Sequence, residues 1–276
     1  MKCPIIAVSN QKGGVGKTTT AVNLAQAFAL LEHNVLIVDL DPQGNASEGL
    51  GIKTDRIKID LAEILRNKDI PISAAIYKGD KLDILPTTSN LAAFEREMVG
   101  MTNGELRLRS RLRSMQHNYS MIVIDTPPSF GTLMNSALNA ADYLIVPIDC
   151  SYYAMTGIKK MLGEIEAIRE GTNPSLEVLG YLMTLADSTR VAESTLDSLV
   201  ESFGDLVFET KIRRSVKLKE APLVGKTIFH HAPTSSAALE YSSLALEVLN
   251  RIENSNGVIM SSQPQLSVVQ GGACHE

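Results

Sequence analysis

The chain has no tryptophan, and aromatic residues fill only 5% of its 276 positions. Packing must therefore rest on Leu, Ile, Val, Ala and Met. Three cysteines occur, Cys3, Cys150 and Cys274, far apart and without a C-x-x-C pair. That spacing argues against a disulfide framework or a cysteine-ligated cluster and fits thiols in a reducing cytoplasm. Basic charge is not in excess: the net charge is −5 and the isoelectric point about 5.6. The whole surface is thus not that of a basic nucleic-acid binder, although a local patch stays open. No apolar run reaches the roughly 18 residues of a membrane span. Only Lys2 precedes the apolar stretch CPIIAVS, which is not a secretory leader. What remains is a globular composition, 44% hydrophobic and 21% charged, able to bury a core without disulfides.

Six apolar runs read as strands: 4–9, 34–40, 81–87, 120–126, 142–149 and 177–185. Several are apolar throughout with little alternation, as in parallel strands covered on both faces. Helical patterns lie at 17–31, 60–67, about 105–116, 131–140, 154–170, 191–203 and 236–253. The alternation predicts one doubly wound α/β domain, a mostly parallel sheet flanked by helices. It spans residues 1–253, with 254–276 as a flexible tail in which Ser, Gln, Gly and Asn replace periodicity. The tail has no Lys or Arg, so a membrane-binding amphipathic helix is not expected there.

The stretch GGVGKTT (13–19) follows a strand and opens a helix. Glycines let backbone N–H groups wrap phosphates, and the helix start adds its dipole. Lys17 is placed to reach terminal phosphates and Thr18 to put its hydroxyl on Mg2+. The nucleotide contacts expected here are Gln11, Lys12, Gly13, Gly14, Val15, Gly16, Lys17, Thr18 and Thr19. VLIVDLDPQGN sets Asp39 and Asp41 just past a strand, at the carboxyl edge where ligands bind in such folds. Asp41 is the candidate for positioning a water and Asp39 for a place near the metal. MIVIDTPPS ends a strand in Asp125, a Walker B-type residue expected to hold Mg2+ through water. Residues 211–226, KIRRSVKLKEAPLVGK, carry six cations against one acid, Glu220. Such a local excess suits DNA phosphates. The arginines of ELRLRSRLRSM (105–115) read instead as a solvated helix face. His230 and His231 have no further His or Cys nearby, which argues against a metal site.

KGGVGKTT, DLDPQGN and DTPPS together resemble the deviant Walker A ATPases of the ParA/MinD family. DLDPQGN matches the ParA branch rather than MinD. The resemblance implies ATP and Mg2+ as ligands and a homodimer in the ATP state. It also implies that Lys12 crosses the interface to the partner's ATP, so that Lys12, Lys17 and Asp41 serve hydrolysis. The turn Thr126–Pro128 would sense nucleotide state. The segment 211–226 resembles the ParA stretch that touches the base and binds DNA. Arg213 stands where that family has Pro and Ser215 where it has Asn. By the same resemblance Arg190, Arg214, Lys217 and Lys219 are candidate contacts to non-specific double-stranded DNA. The implied role is chromosome or plasmid partition by a cytoplasmic, nucleoid-associated ATPase stimulated by a ParB-like activator. No membrane partner is expected, and no N-terminal helix-turn-helix domain. The alternative is a MinD-like or protein-cargo positioning ATPase. An iron–sulfur carrier would need bridging cysteines, and a kinase of this kind a C-terminal tyrosine cluster, and neither is present.

Overall fold

The computed structural model describes residues 3–151 and 154–257. Its strands are β1 (Ile5–Val8), β2 (Val35–Asp39), β3 (Leu82–Leu85), β4 (Met121–Asp125), β5 (Tyr143–Asp149) and β6 (Glu177–Thr184). They form one parallel sheet in the order β3-β2-β4-β1-β5-β6. Strand order departs from chain order because the chain winds away from β1 in both directions, which puts crossover helices on both faces of the sheet. All six strands lie where the apolar runs predict them.

Alternation along the buried strands divides them between two cores. Ile5, Ala7, Leu36, Val38, Ile122 and Ile124 face one side. There they meet α3 (Leu61–Arg66), α4 (Asn90–Met98), α5 (Arg107–Arg113), α6 (Thr132–Ala140), α7 (Ala154–Gly171) and α8 (Arg190–Phe203). Ile6, Val8, Val35, Ile37 and Val123 face the other side. They pack on α1 (Lys17–Leu30), α10 (Ile228–His231) and α11 (Ser236–Gly257), with Leu218 of α9 (Val216–Glu220). Helix α1 is buried along most of its length, since it lies between the sheet and α11. Ala, Val, Leu and Phe on every side of it make that position stable. The short α2 (Asn45–Gly49) follows the Asp39–Asp41 turn.

The sequence pattern missed α2, α4, α9 and α10. In α4 only Leu91, Phe94 and Met98 are buried, one face of a short helix among polar residues. Helix α11 runs four residues past the expected end at 253, to Gly257. The rest of the expected tail, 258–276, lies outside the described residues.

The arginines of 105–115 are not a solvated face. Arg107 donates to the Leu65 and Arg66 carbonyls, and Arg111 to those of Lys68 and Ile70. Arg109 donates to Thr172 O at 2.9 Å, and Arg113 reaches Asp142 at 3.3 Å. Helix ends leave carbonyls without intrahelical partners. The guanidiniums of Arg107, Arg109 and Arg111 satisfy such groups in the last turn of α3 and just beyond α3 and α7, and so bind the helical layer together.

Candidate active site

Four adjacent strands end at one place. Asp39 and Asp125 stand opposite each other in the β2–β4 register, and Val8 pairs with Asp125 across β4–β1. Asp149 closes β5, on the far side of β1. The glycine loop rises from β1 into this row. Gly14 and Gly16 adopt φ of +77° and +81°, a conformation that side chains resist, and Gly16 starts α1. A Cβ on Gly13 would lie 3.7 Å from Pro128 Cβ, so the loop runs close against the Thr126–Pro128 turn. Thr126 anchors that turn by donating to the Val8 carbonyl at 2.9 Å. On the other flank Thr184 donates to Val15 O at 2.7 Å, tying the loop to β6.

The charges are buried unevenly. Lys17 is 6% exposed and donates to the Lys12 carbonyl at 3.0 Å. Burial lowers its pKa, and the nearby Asp125 and Asp41 push it back up. Asp125 is fully buried, and neither carboxylate oxygen has a hydrogen-bond partner. Burial, then the charges of Asp39 and Asp41, hold its pKa well above the usual carboxylate range. The Thr18 hydroxyl acts in the opposite direction, in a geometry short of a full hydrogen bond.

Asp39 differs from Asp125. Its two oxygens accept from Asp41 N at 3.2 Å and from Ser47 N and Oγ at 2.8 and 2.7 Å. Burial still raises its pKa to about 6, against those bonds. Asp41, also buried, accepts from Gln43 N at 3.0 Å. Its pKa is raised by burial, with that bond and Lys17 opposing.

An unpartnered buried carboxylate beside a threonine hydroxyl and a lysine fits a hydrated divalent cation. Among the described residues no group of three or more His, Cys, Asp or Glu could hold a metal alone. Mg2+ takes one or two protein oxygens and completes its shell with water and phosphate, and Asp125 and Thr18 offer two such oxygens.

Lys12 does not point at Lys17's side of the loop. Its Nζ lies 2.6 and 2.8 Å from the two Asp149 oxygens and 2.7 Å from Ser151 Oγ. The sequence reading missed both partners. The available signal was the PID ending of 142–149, an acid at the carboxyl end of a strand like Asp39 and Asp125. Ser47 was missed too, since nothing in the sequence marks a serine eight residues on as the holder of Asp39. Gln11 gives its side-chain amide to the Gly157 carbonyl at 2.9 Å, toward α7.

A cavity of about 180 Å3 opens beside the loop between Gly14, Gly16, Thr19, Leu185, Ser215 and Tyr241. Arg213, Arg214 and Lys219 also line it. Arg213 pairs with Glu240 at 3.0 Å, and its backbone N–H donates to the same carboxylate. Arg214 is fixed through its N–H to Ala186 O at 3.0 Å, and Lys217 pairs with Glu220 at 2.9 Å. Arg190 opens α8, exposed.

Residues 3–178 match the family model described as an AAA domain. Chromosome partitioning protein ParA of Myxococcus xanthus is 42% identical over 250 residues, covering 90% of this chain and 88% of that protein. Chromosome-partitioning ATPase Soj of Thermus thermophilus is 43% identical over 249 residues, covering 90% and 96%. The chain belongs to the ParA/Soj family of chromosome-partitioning ATPases. A cobyrinic acid a,c-diamide synthase from Mycobacterium smegmatis, solved with ADP and magnesium, is similar in fold. It superposes with a TM-score of 0.80 at 31% identity, over 92% of this ParA-like chain and 96% of its own. No helix among the described residues is long and apolar enough to cross a membrane.

Proposed function

We propose that this ParA-like chain is a partition ATPase whose ATP-bound dimer holds DNA and lets go on hydrolysis. The observation that carries it is the row of strand-end groups. A buried Lys17, the unpartnered Asp125 carboxylate and the Thr18 hydroxyl converge under a glycine loop, with Lys12 held apart from them. In this reading the N–H groups of Gly13–Thr19 and Lys17 bind the β- and γ-phosphates. Gln11 serves from the loop's flank. Thr18 and Asp125 hold Mg2+, with Asp39 fixed beside them by Ser47. Bound there, the ion offsets negative charge on the phosphates and on Asp125. Asp41 orients the attacking water and Lys12 crosses to the partner's phosphates. The ribose and base lie toward Arg213 and Ser215. The ATPase unit is residues 1–253.

Arg190, Arg214, Lys217 and Lys219 then contact phosphates of non-specific double-stranded DNA. Two weak patches in one dimer act together by effective concentration. A ParB-like activator accelerates hydrolysis and so frees the dimer, which works in the cytoplasm on the nucleoid.

The test is DNA binding by the full chain with ATP, ADP or no nucleotide, at low and physiological salt. ATP should switch on salt-sensitive binding, Lys12→Ala should abolish it and Asp41→Ala should prolong it. A wild-type chain that ignores DNA in every nucleotide state would refute the reading and leave a protein cargo as the object moved.

A further inference from the structure

The segment 215–226 is basic, yet three of its apolar side chains stand in solvent. Leu223 is 84% exposed, Val216 68% and Val224 57%. Helix α9 and the turn of helix after it, Ala221–Val224, set Leu218 and Ala221 inward. Val216, Lys219 and Leu223 recur at helical spacing on the outer side. Burial follows that division, with Leu218 and Ala221 in the core and the other three in solvent.

The tip is held firmly from beneath. Gly225 has φ of +66°, and a Cβ there would meet Gly51 Cα at 2.9 Å. A Cβ on Gly49 would lie 3.5 Å from Pro222. The turn therefore rests on the chain leaving α2, and little ordering entropy stands against its engaging a partner.

The surrounding charge says what the partner is. Lys217 is paired with Glu220, but Lys219 and Lys226 are exposed and in no ion pair among the described residues. The ligand must be anionic and must also offer apolar surface between its charges. The minor groove of a duplex does both, with sugar walls between two rows of phosphate. Three small aliphatic side chains without an aromatic residue are too few for stable attachment to a bilayer, where affinity scales with buried apolar area.

We propose that Leu223, with Val216 and Val224 beside it, enters the minor groove of duplex DNA while Lys219 and Lys226 take flanking phosphates. This rests on the DNA-binding reading above and adds to it a contact that salt does not screen.

The experiment is fluorescence anisotropy of a short labelled duplex with the full chain and ATP, across a series of KCl concentrations. Wild type is compared with Leu223→Ser and Lys219→Gln, and thermal melting checks that both fold. Leu223→Ser should weaken binding roughly tenfold at every salt concentration, with the salt slope unchanged. Lys219→Gln should lower the slope by about one. Equal affinity of Leu223→Ser and wild type would overturn the wedge while the DNA-binding reading stands. Failure of the wild type to bind in any nucleotide state would remove both. Loss of binding to phosphatidylglycerol vesicles by Leu223→Ser, with DNA affinity intact, would assign the tip to lipid and overturn the proposal.

Discussion

If the chain forms the ATP-bound dimer proposed above, release of Lys12 from Asp149 should tighten it. Within one chain Lys12 Nζ sits 2.6 Å from Asp149 Oδ2 and 2.7 Å from Ser151 Oγ. If Lys12 serves the partner's site, each protomer must break this pair before two can join. The two side chains are 40% and 21% exposed, so solvent screens the pair. Half-exposed pairs contribute about 0.5–1 kcal/mol. A symmetric dimer breaks two, which amounts to about 1–2 kcal/mol, or roughly 5–30-fold in the dimer dissociation constant. Asp149→Ala should lower that constant by such a factor, measured by sedimentation velocity with a non-hydrolysable ATP analogue. The gain should shrink as salt rises, because salt weakens the wild-type pair as well. An unchanged or higher dissociation constant for Asp149→Ala would show that the pair does not compete with dimerisation.

Two further outcomes follow from buried groups. Ser47→Ala removes one donor to Asp39 and leaves the Thr87 N–H, which donates to Ser47 Oγ at 3.2 Å, without its acceptor. Denaturant unfolding should show a loss of about 1–3 kcal/mol, and Mg2+ should enhance nucleotide affinity less than in wild type. Unaltered values in both assays would mean that Ser47 does not hold the acid. Burial raises the phenols of Tyr119 and Tyr181 to about 12, above the unfolded value near 10. A group whose folded pKa is raised stabilises fully below its unfolded pKa, so stability should fall between pH 10 and about 12. Absorbance titration of the folded chain should then show a late-ionising fraction, and uniform ionisation near pH 10 would refute it.

The six strands were legible because parallel strands buried on both faces must be apolar at nearly every position. Ile5–Val8 and Met121–Asp125 leave little room for another reading. That Lys17, Thr18, Asp39 and Asp125 lie close together was legible for a related reason: in such folds the carboxyl ends of the strands and the loop leaving β1 meet at one edge of the sheet. Helix α4 was not, since its three buried residues lie among charges that suit a loop equally well.

What tertiary structure alone decided is which exits are neighbours. Asp149 lies 137 residues from Lys12, and only the order β4-β1-β5 sets β5 beside the strand that feeds the loop. The arginines of α5 read as solvated because a charged helix face looks the same from sequence whether water or a carbonyl meets it. Arg107 reaches back to Leu65 and Arg109 forward to Thr172. Apolar burial acts on a residue's own environment and leaves a local periodicity. A long side chain's hydrogen bond depends on which distant carbonyl or carboxylate the packed layers bring within about 3 Å, and no spacing in the sequence records that.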